Sequence, residues 1–372
     1  IEQTTLRRRF HRAELYSGNP VLRPDKRWEK YQVPPASAMA FSDGCFFDPA
    51  DKLFKIWYRP SHGSGTCYAT SEDGIHWQKP PLDIQPQTNV VLLGGQRDSS
   101  TVWLDQDAAD RAQRFKLFQF HRDAWRPTVH TSPDGIHWSA PTWCGPAGDR
   151  STMFYNPFRK VWVFSIRAEA NKSPWNYTAR PFNQIHRARK YWEANDFLAG
   201  AQWSGGRLHE DWPAGSPQFW ISADRLDSPG VAPGELQSEL YNLDATPYES
   251  LMLGLFSVLH SRTSGRSADR PKINDLELGF SRDGFHWDRP FREAVITVND
   301  DPKAWNYGNV QSVGGGCLIV GDRLYMYASG RNATEDTTGL AFFRRDGFAS
   351  MEAGGSEAAL TTRPVQFSGK HL

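Results

Sequence analysis

Ser71-Glu72-Asp73-Gly74-Ile75-His76-Trp77 returns as Ser132-Pro133-Asp134-Gly135-Ile136-His137-Trp138 and again as Ser281-Arg282-Asp283-Gly284-Phe285-His286-Trp287. Fainter copies stand at Asn195-Asp196-Phe197, followed by Trp203, and at Arg345-Asp346-Gly347-Phe348. The aspartates fall at positions 73, 134, 196, 283 and 346, so successive copies are 61, 62, 87 and 63 residues apart. An insertion of about 25 residues accounts for the long interval. Gly205 to Gly234, with Pro213, Pro217, Pro229 and Pro233 among polar residues, reads as that insertion. Five copies of a unit of about 62 residues then fill the chain.

Each unit carries a second signature upstream of its Asp-Gly. Phe46-Phe47-Asp48-Pro49 leads through Asp51 into Leu53 to Tyr58, a strand, a polar turn and a strand. Val102 to Asp105 with Phe115 to Phe120, Met153 to Asn156 with Val161 to Ser165, and Cys317 to Val320 with Arg323 to Tyr327 repeat it. Runs of aromatic and β-branched residues bounded by Asp, Asn, Pro and Gly read as hairpins, and hardly a segment keeps a helical period. Such a unit fits four antiparallel strands, which is a propeller blade. The expected fold is all-β: one domain over residues 1–372, a five-bladed β-propeller of four-stranded antiparallel blades, with the insertion at about 205–234 between blades three and four. A ring has to be closed, and Phe10 to Leu22 is placed to lend a strand to the last blade. The Asp-Gly motif itself reads as structure. Gly supplies the positive φ of a tight turn, the Trp packs between blades, and a feature copied in every unit serves every unit.

Composition narrows the partners. With 43 Lys and Arg against 42 Asp and Glu the formal charge is +1, and no run of five like charges occurs, so nucleic acid is not an expected partner. The longest apolar stretch near the middle, Leu251 to Leu259, is far short of the ~20 residues that span a bilayer, so no membrane partner is expected. The 22 Phe, 15 Trp and 12 Tyr supply ample apolar surface and exclude a disordered chain. Cys45, Cys67, Cys144 and Cys317 are scattered singly, without CxxC pairs or histidines at zinc spacing, and no DxDxDG loop is present. No metal and no cofactor is expected. Oligomeric state is left open.

Strand order says where chemistry can sit. If the Asp-Gly turns mark one face of the ring, the opposite face gathers the starts of innermost strands and the ends of second strands. Acids stand at the former: Asp43, Asp98 in Asp98-Ser-Ser-Thr101, Asp149 in Asp149-Arg-Ser-Thr152, and Glu239, with Asp244 and Glu249 further along. The last unit offers the amides Asn309 and Gln311. Bases stand at the latter: Arg59, His121 with Arg122, Arg167, His260 with Arg262, and Arg331. Carboxylates gathered in a ring of arginines suit glycosidic bond cleavage, which needs one protonated carboxyl for the leaving oxygen and one ionised carboxylate as base or nucleophile. Crowded acids raise each other's pKa and nearby arginines lower it, so opposite roles fit one pocket. Guanidinium groups also grip planar anions two-pronged, which suits a carboxylated or sulfated glycan. Trp175, Trp212, Trp220 and Trp305 lie outside the repeated hairpins and are candidates for sugar stacking.

The repeat with acids at its strand starts resembles the five-bladed propeller glycosidases: arabinanases and xylosidases on one side, fructosidases and invertases on the other. Arg97-Asp98 resembles the Arg-Asp pair of the fructosidases, with Ser99 where they have Pro. Asp43 to Tyr58 resembles the first acidic strand of both groups, with Ser42-Asp43-Gly44 in place of Asn-Asp-Pro-Asn-Gly. The resemblance implies a glycoside hydrolase that cleaves a terminal sugar from an oligo- or polysaccharide. Asp43 or Asp98 would be base or nucleophile, Asp149 the pKa modulator, and Glu239 or Glu249 the acid. Arg59, Arg97, His121, Arg122, Arg150, Arg167, His260, Trp305, Gln311 and Arg331 would bind the carbohydrate. Two alternatives stay open: a glycoside phosphorylase on the same fold, and a non-catalytic carbohydrate-binding propeller.

Overall fold

The computed structural model describes residues 1–30, 35–61, 65–94, 96–170, 186–205, 215–227, 238–260 and 272–366. Among them the only α-helix is the single turn Phe197–Gly200, and nearly everything else that is regular is strand. Three four-stranded antiparallel sheets follow one another along the chain. The first is Cys45–Asp48, Leu53–Tyr58, Thr66–Ser71 and Val90–Leu92; the second is Arg97–Leu104, Phe115–His121, Arg126–Ser132 and Thr142–Trp143. The third is Thr152–Asn156, Val161–Ala170, His186–Ala194 and Gln218–Ser222. Its edge strand thus lies inside the stretch expected as an insertion, most of which falls outside the described residues.

The remaining strands form one longer path that divides naturally in two. Glu239–Tyr248, Leu251–Leu259 and Asn274–Ser281 make an antiparallel meander, with Ile296 and Asp288 bridging the outer strand. Asn309–Gln311, Arg323–Arg331 and Glu335–Arg344 make another, and a single parallel pair, Asn274 with Asn309, links the two. The outer edge of the last meander is covered by Glu14–Leu15, with Leu22 bridged to Thr338. The segment from Phe10 to Leu22 therefore does reach the last unit, far away in sequence. The four cysteines are free thiols, three of them buried.

The first strand of the second sheet, Arg97–Leu104, is buried at every residue and so on both faces, whereas Cys45–Asp48 of the first sheet leaves Phe47 exposed. The repeated turns explain how the sheets are held side by side. In the first, the Asp73 carboxylate accepts the amides of Ile75 and His76, Gly74 N–H donates to Ser71 Oγ, and Gly74 takes a φ of +74°. The turn at Asp283 is built the same way. Each turn then docks on an earlier or distant sheet. Trp57 Nε1 donates to Gly135 O at 2.7 Å, Tyr327 Oη to Gly74 O at 2.7 Å, and Asn156 Nδ2 to Asp283 O at 2.7 Å. A Cβ on Gly74 would sit 2.5 Å from the Tyr327 hydroxyl, and one on Gly135 would strike the Trp57 indole. The weaker copies diverge: Asp196 caps the short helix through Ala199 N, and Asp346 carries the positive φ in place of the glycine.

Gly135→Ala combines a forbidden φ with a clash against a buried indole, so a loss of roughly 2–4 kcal/mol is expected. Urea unfolding, with Gly354→Ala in open space as the control, measures it; equal midpoints would refute the docking role.

Candidate functional site

Asp98 begins the innermost strand of the second sheet and has no exposed surface. Its Oδ2 accepts from Arg122 Nε at 2.8 Å and also from Arg122 Nη2, while Arg150 Nε lies 3.3 Å from Oδ1. Burial by itself would raise this carboxyl, but Arg150, Arg122 and Arg59 outweigh it and hold the group far below the usual carboxylate range. Arg122 Nη2 is also 3.9 Å from Asp149 Oδ2, and Asp149 pairs closely with Arg167. One guanidinium thus spans two of the expected acids. Arg150 is placed by a φ of +62°, the left-handed region that a side chain occupies only when its surroundings demand it.

Phe41, also at positive φ (46°), forms the floor of this charge cluster. The guanidinium carbons of Arg150, Arg59 and Arg331 stand 3.9, 4.8 and 5.8 Å from its ring centroid. Ring faces are electron-rich, so the arrangement eases three like charges sharing a small volume. Asp336 completes it, with Arg59 Nη2 at 3.4 Å and Arg331 Nε at 3.7 Å. Arg59 is nonetheless pushed down to about 9, first by burial and despite Asp336.

Glu239 opens the next innermost strand, its carboxylate 3.9 Å from Arg187 Nε. Two residues on, Tyr241 has the cations of Arg187, Arg150 and Lys272 around its ring at 4.7, 5.4 and 5.7 Å. Arg150 therefore touches both halves of the site. Asp43 is close by but differently used. Both its oxygens are held by Arg97, at 2.7 and 3.2 Å, and Arg97 also donates to Thr66 Oγ1 at 2.8 Å. Burial raises Asp43, with Arg97 opposing.

Several expected site residues are elsewhere. Glu249 occupies the tight turn between Tyr248 and Leu251, at the opposite end of its strand, exposed and 3.5 Å from Arg345. Trp305 is buried in an apolar cluster because Gly330 and Gly339 leave a slot for its indole, so it does not line the site. Trp220 Nε1 is bonded to Phe285 O at a repeated turn. His121 turns outward to Thr128 Oγ1 at 2.8 Å and to Trp143. His260 is fixed between Ser238 Oγ and Asp275 Oδ1, both at 2.9 Å. Gln311 is buried in its strand with Oε1 unpartnered. Trp175, Trp212 and Arg262 lie outside the described residues.

Arg187, Arg189, Lys272 and Asp336 escaped the sequence reading for one reason. They stand at or just before the starts of third strands, and in an antiparallel meander these share an end with the second-strand termini. Metal-ligand chemistry occurs among the described residues at His260, Asp275 and Glu277, whose ligand atoms lie within 4.8 Å of one another. Those atoms are spent internally: Asp275 on His260, and Glu277 on Arg289 at 2.5 Å. Two surface clefts, beside Arg344 and beside His286, open at the turn end and reach none of the charge cluster.

No protein-family model matches the chain, and no curated protein matches it in sequence. Solved structures do match in shape. A thermostable family-43 glycoside hydrolase superposes with a TM-score of 0.55 at 10% identity, over 90% of this chain and 98% of its own. A glycosyl hydrolase from Bacteroides ovatus gives 0.54 at 15%, over 91% and 95%. An endo-arabinase from Bacteroides thetaiotaomicron gives 0.52 at 10%, over 84% and 97%. The chain shares their fold. The likeness agrees with the resemblance to propeller glycosidases and, at such identities, speaks for the arrangement of strands alone.

Asp98→Asn keeps the shape and removes the counter-charge of two arginines, so a loss of roughly 3–5 kcal/mol is expected. Glu249→Gln, at an exposed turn, should stay within about 0.5 kcal/mol of the parent. Chemical denaturation of the two variants decides; if Asp98→Asn unfolds at the parent's midpoint, the charge-compensation account is wrong.

Proposed function

We propose that the five successive units are the blades of one propeller, and that the Asp98–Glu239 cluster is the active site of a glycoside hydrolase. In this reading it removes a terminal sugar, one bearing a carboxylate or sulfate, from an oligo- or polysaccharide. The observation that carries the proposal is the pairing of environments around Arg150, which reaches Asp98 of the second sheet and Tyr241 beside Glu239. Asp98 is held ionised by close contacts with Arg122 and Arg150, whereas the ion pair of Glu239 with Arg187 is looser, at 3.9 Å. Glycosidic cleavage needs such a division: a carboxylate that stays charged, and a carboxyl able to carry a proton to the leaving oxygen.

Glu239 then donates to the glycosidic oxygen, and Asp98 acts from the other side as base or nucleophile. Asp149, joined to Asp98 through Arg122, adjusts the balance of charge. Asp98 is preferred to Asp43 because its Oδ1 accepts no hydrogen bond, whereas both Asp43 oxygens accept from Arg97. The depth of Asp98 and Asp336 favours a closed pocket for a chain end over an open groove. The excess of arginines supports an anionic sugar, since a desolvated guanidinium seeks a planar anion.

The same excess favours a second reading, phosphorolysis, in which inorganic phosphate attacks in place of water; phosphate-dependent product formation separates the two. The non-catalytic reading loses its support in Trp220 and Trp305, which are packed into cores.

Sugar release from a panel of neutral, uronic-acid and sulfated polysaccharides tests the proposal. Glu239→Gln should cut kcat by about 10²–10⁴-fold with the fold intact. Full activity in that variant would remove Glu239 from the role of acid.

A further inference from the structure

Tyr241 sits where its strand slips register. Glu239 and Leu240 pair with Leu259 and Val258, Asn242 pairs with Ser257, and Tyr241 is left over. A bulge takes one residue out of the strict alternation and re-aims its side chain. Here the Tyr241 carbonyl is held by Arg189, and the ring, only 8% exposed, is turned into the group of cations. Those cations come from three separate elements: Arg150 ahead of Thr152–Asn156, Arg187 in His186–Ala194, and Lys272 ahead of Asn274–Ser281.

Their charges are only partly matched nearby. Among the described residues Lys272 has no ion-pair partner, and Arg150 Nη1 and Arg187 Nη1 are buried without a hydrogen-bond partner. The acids facing this group are Glu239, 3.9 Å from Arg187, and Asp98, engaged by Arg150 Nε and Arg122. Asp336 serves Arg59 and Arg331, and Arg189 and Arg331 add further positive charge. Unmatched donors at this depth call for an oxyanion.

We propose that Arg150, Arg187 and Lys272 form an anion subsite around Tyr241, where the phenolic oxygen and an entering oxyanion compete for the same cations, so that anion binding is coupled to uptake of one proton by Tyr241. The anion is a sulfate or carboxylate on the sugar, or free phosphate. Its assignment to the substrate rests on the function proposed above, whereas the proton coupling stands apart from it.

The electrostatics agree with the geometry. Burial would raise the Tyr241 phenol, but Arg150, Lys272, Arg187 and Arg331 bring it down to about 6. Lys272 is itself lowered, its attraction to Tyr241 outdone by burial and the neighbouring arginines. On this proposal Tyr241 without a bound anion is a tyrosinate at neutral pH, and its phenolate supplies negative charge to the three cations. When an external anion enters, the phenolate becomes surplus, regains its proton from solvent, and turns from acceptor into donor. Below the phenol's pKa the proton is already present and binding takes up none. Above it, each anion bound brings one proton with it, so affinity falls by about tenfold per pH unit.

Calorimetric titration of the full chain with inorganic sulfate, between pH 5.5 and 8 and in buffers of different ionisation heat, reads both quantities. Expected are a dissociation constant rising about tenfold per unit above pH 6.5, and uptake approaching one proton. Tyr241→Phe should bind sulfate with little pH dependence in this window, and more tightly than the parent at pH 7.5. The difference in tyrosinate absorbance between parent and Tyr241→Phe, titrated without ligand, reports the ionisation even if that variant is weakened. Displacement of sulfate by methyl glucuronide would place the anion on a sugar, and displacement by phosphate alone would make it the free ion. Sulfate binding that is absent, or that is independent of pH with no proton uptake, overturns the proposal. No turnover is involved, so this result and the Glu239→Gln assay fail independently.

Discussion

Asp98 is cut off from water, and a buried carboxylate survives only if charge and hydrogen bonds replace the solvent it lost. Arg122 arrives from the end of the next strand of its own sheet, and Arg150 from the entry to the following sheet. Arg150 is not placed there without costs of its own. Arg150 takes a positive φ, and together with Arg59 and Arg331 it crowds the ring of Phe41, which is also at positive φ. Backbone strain and like-charge crowding thus converge at one end of the molecule. Such strain persists only where the surrounding structure over-determines it, and here the surroundings are the rigid inner strands on either side.

That rigidity is generated at the other end. Two of the Asp-Gly turns present a glycine whose missing side chain admits Tyr327 or Trp57 from another sheet. Ser and Asp in the same motif satisfy the turn's own amides, so the contact is made by a rigid loop. Structure and chemistry are therefore segregated along the strand direction. Turns that repeat carry assembly, and strand entries that do not repeat carry charge. The segregation lets the pocket end vary from unit to unit without loosening the contacts between sheets.

The same segregation decides what could be read from sequence. The repeat is visible because Gly74, Gly135 and Gly284 have the same task, and identical tasks leave identical residues. The pocket has no such redundancy. Asp98, Asp149 and Glu239 could be assigned to one end of the sheets because they stand at predictable strand starts, and Arg122 and Arg167 because they stand at second-strand ends. Asp336, Arg187 and Lys272 obey the same geometry one strand further out, and following the meander through a third strand would have reached them. Tyr241 was not reachable in this way. Alternation says that its side chain shares a face with Glu239, but only the slip between Leu240 and Asn242, a property of pairing with a distant strand, says that it is turned toward the cations. Trp305 was misread for a related reason. Its burial depends on Gly330 and Gly339, neither of which is near it in sequence.

The tryptophans bear on recognition from the opposite side. A chain this rich in indole invites the expectation that sugars stack on it, yet Trp57, Trp103, Trp162 and Trp203 interlock with one another's neighbours inside the sheets, and Trp305 fills a glycine slot. The aromatic rings that do stand among the pocket's charges, Phe41 and Tyr241, have guanidinium groups lying over them. Their faces are already occupied, and a sugar would have to displace a cation to stack there. On the proposed function, recognition falls to charge and hydrogen bonds, and the near-neutral chain gathers its positive charge where those bonds would be made. A ligand that brings its own negative charge would leave the arginines on their rings and satisfy their unpartnered nitrogens; a neutral sugar would leave them unmatched.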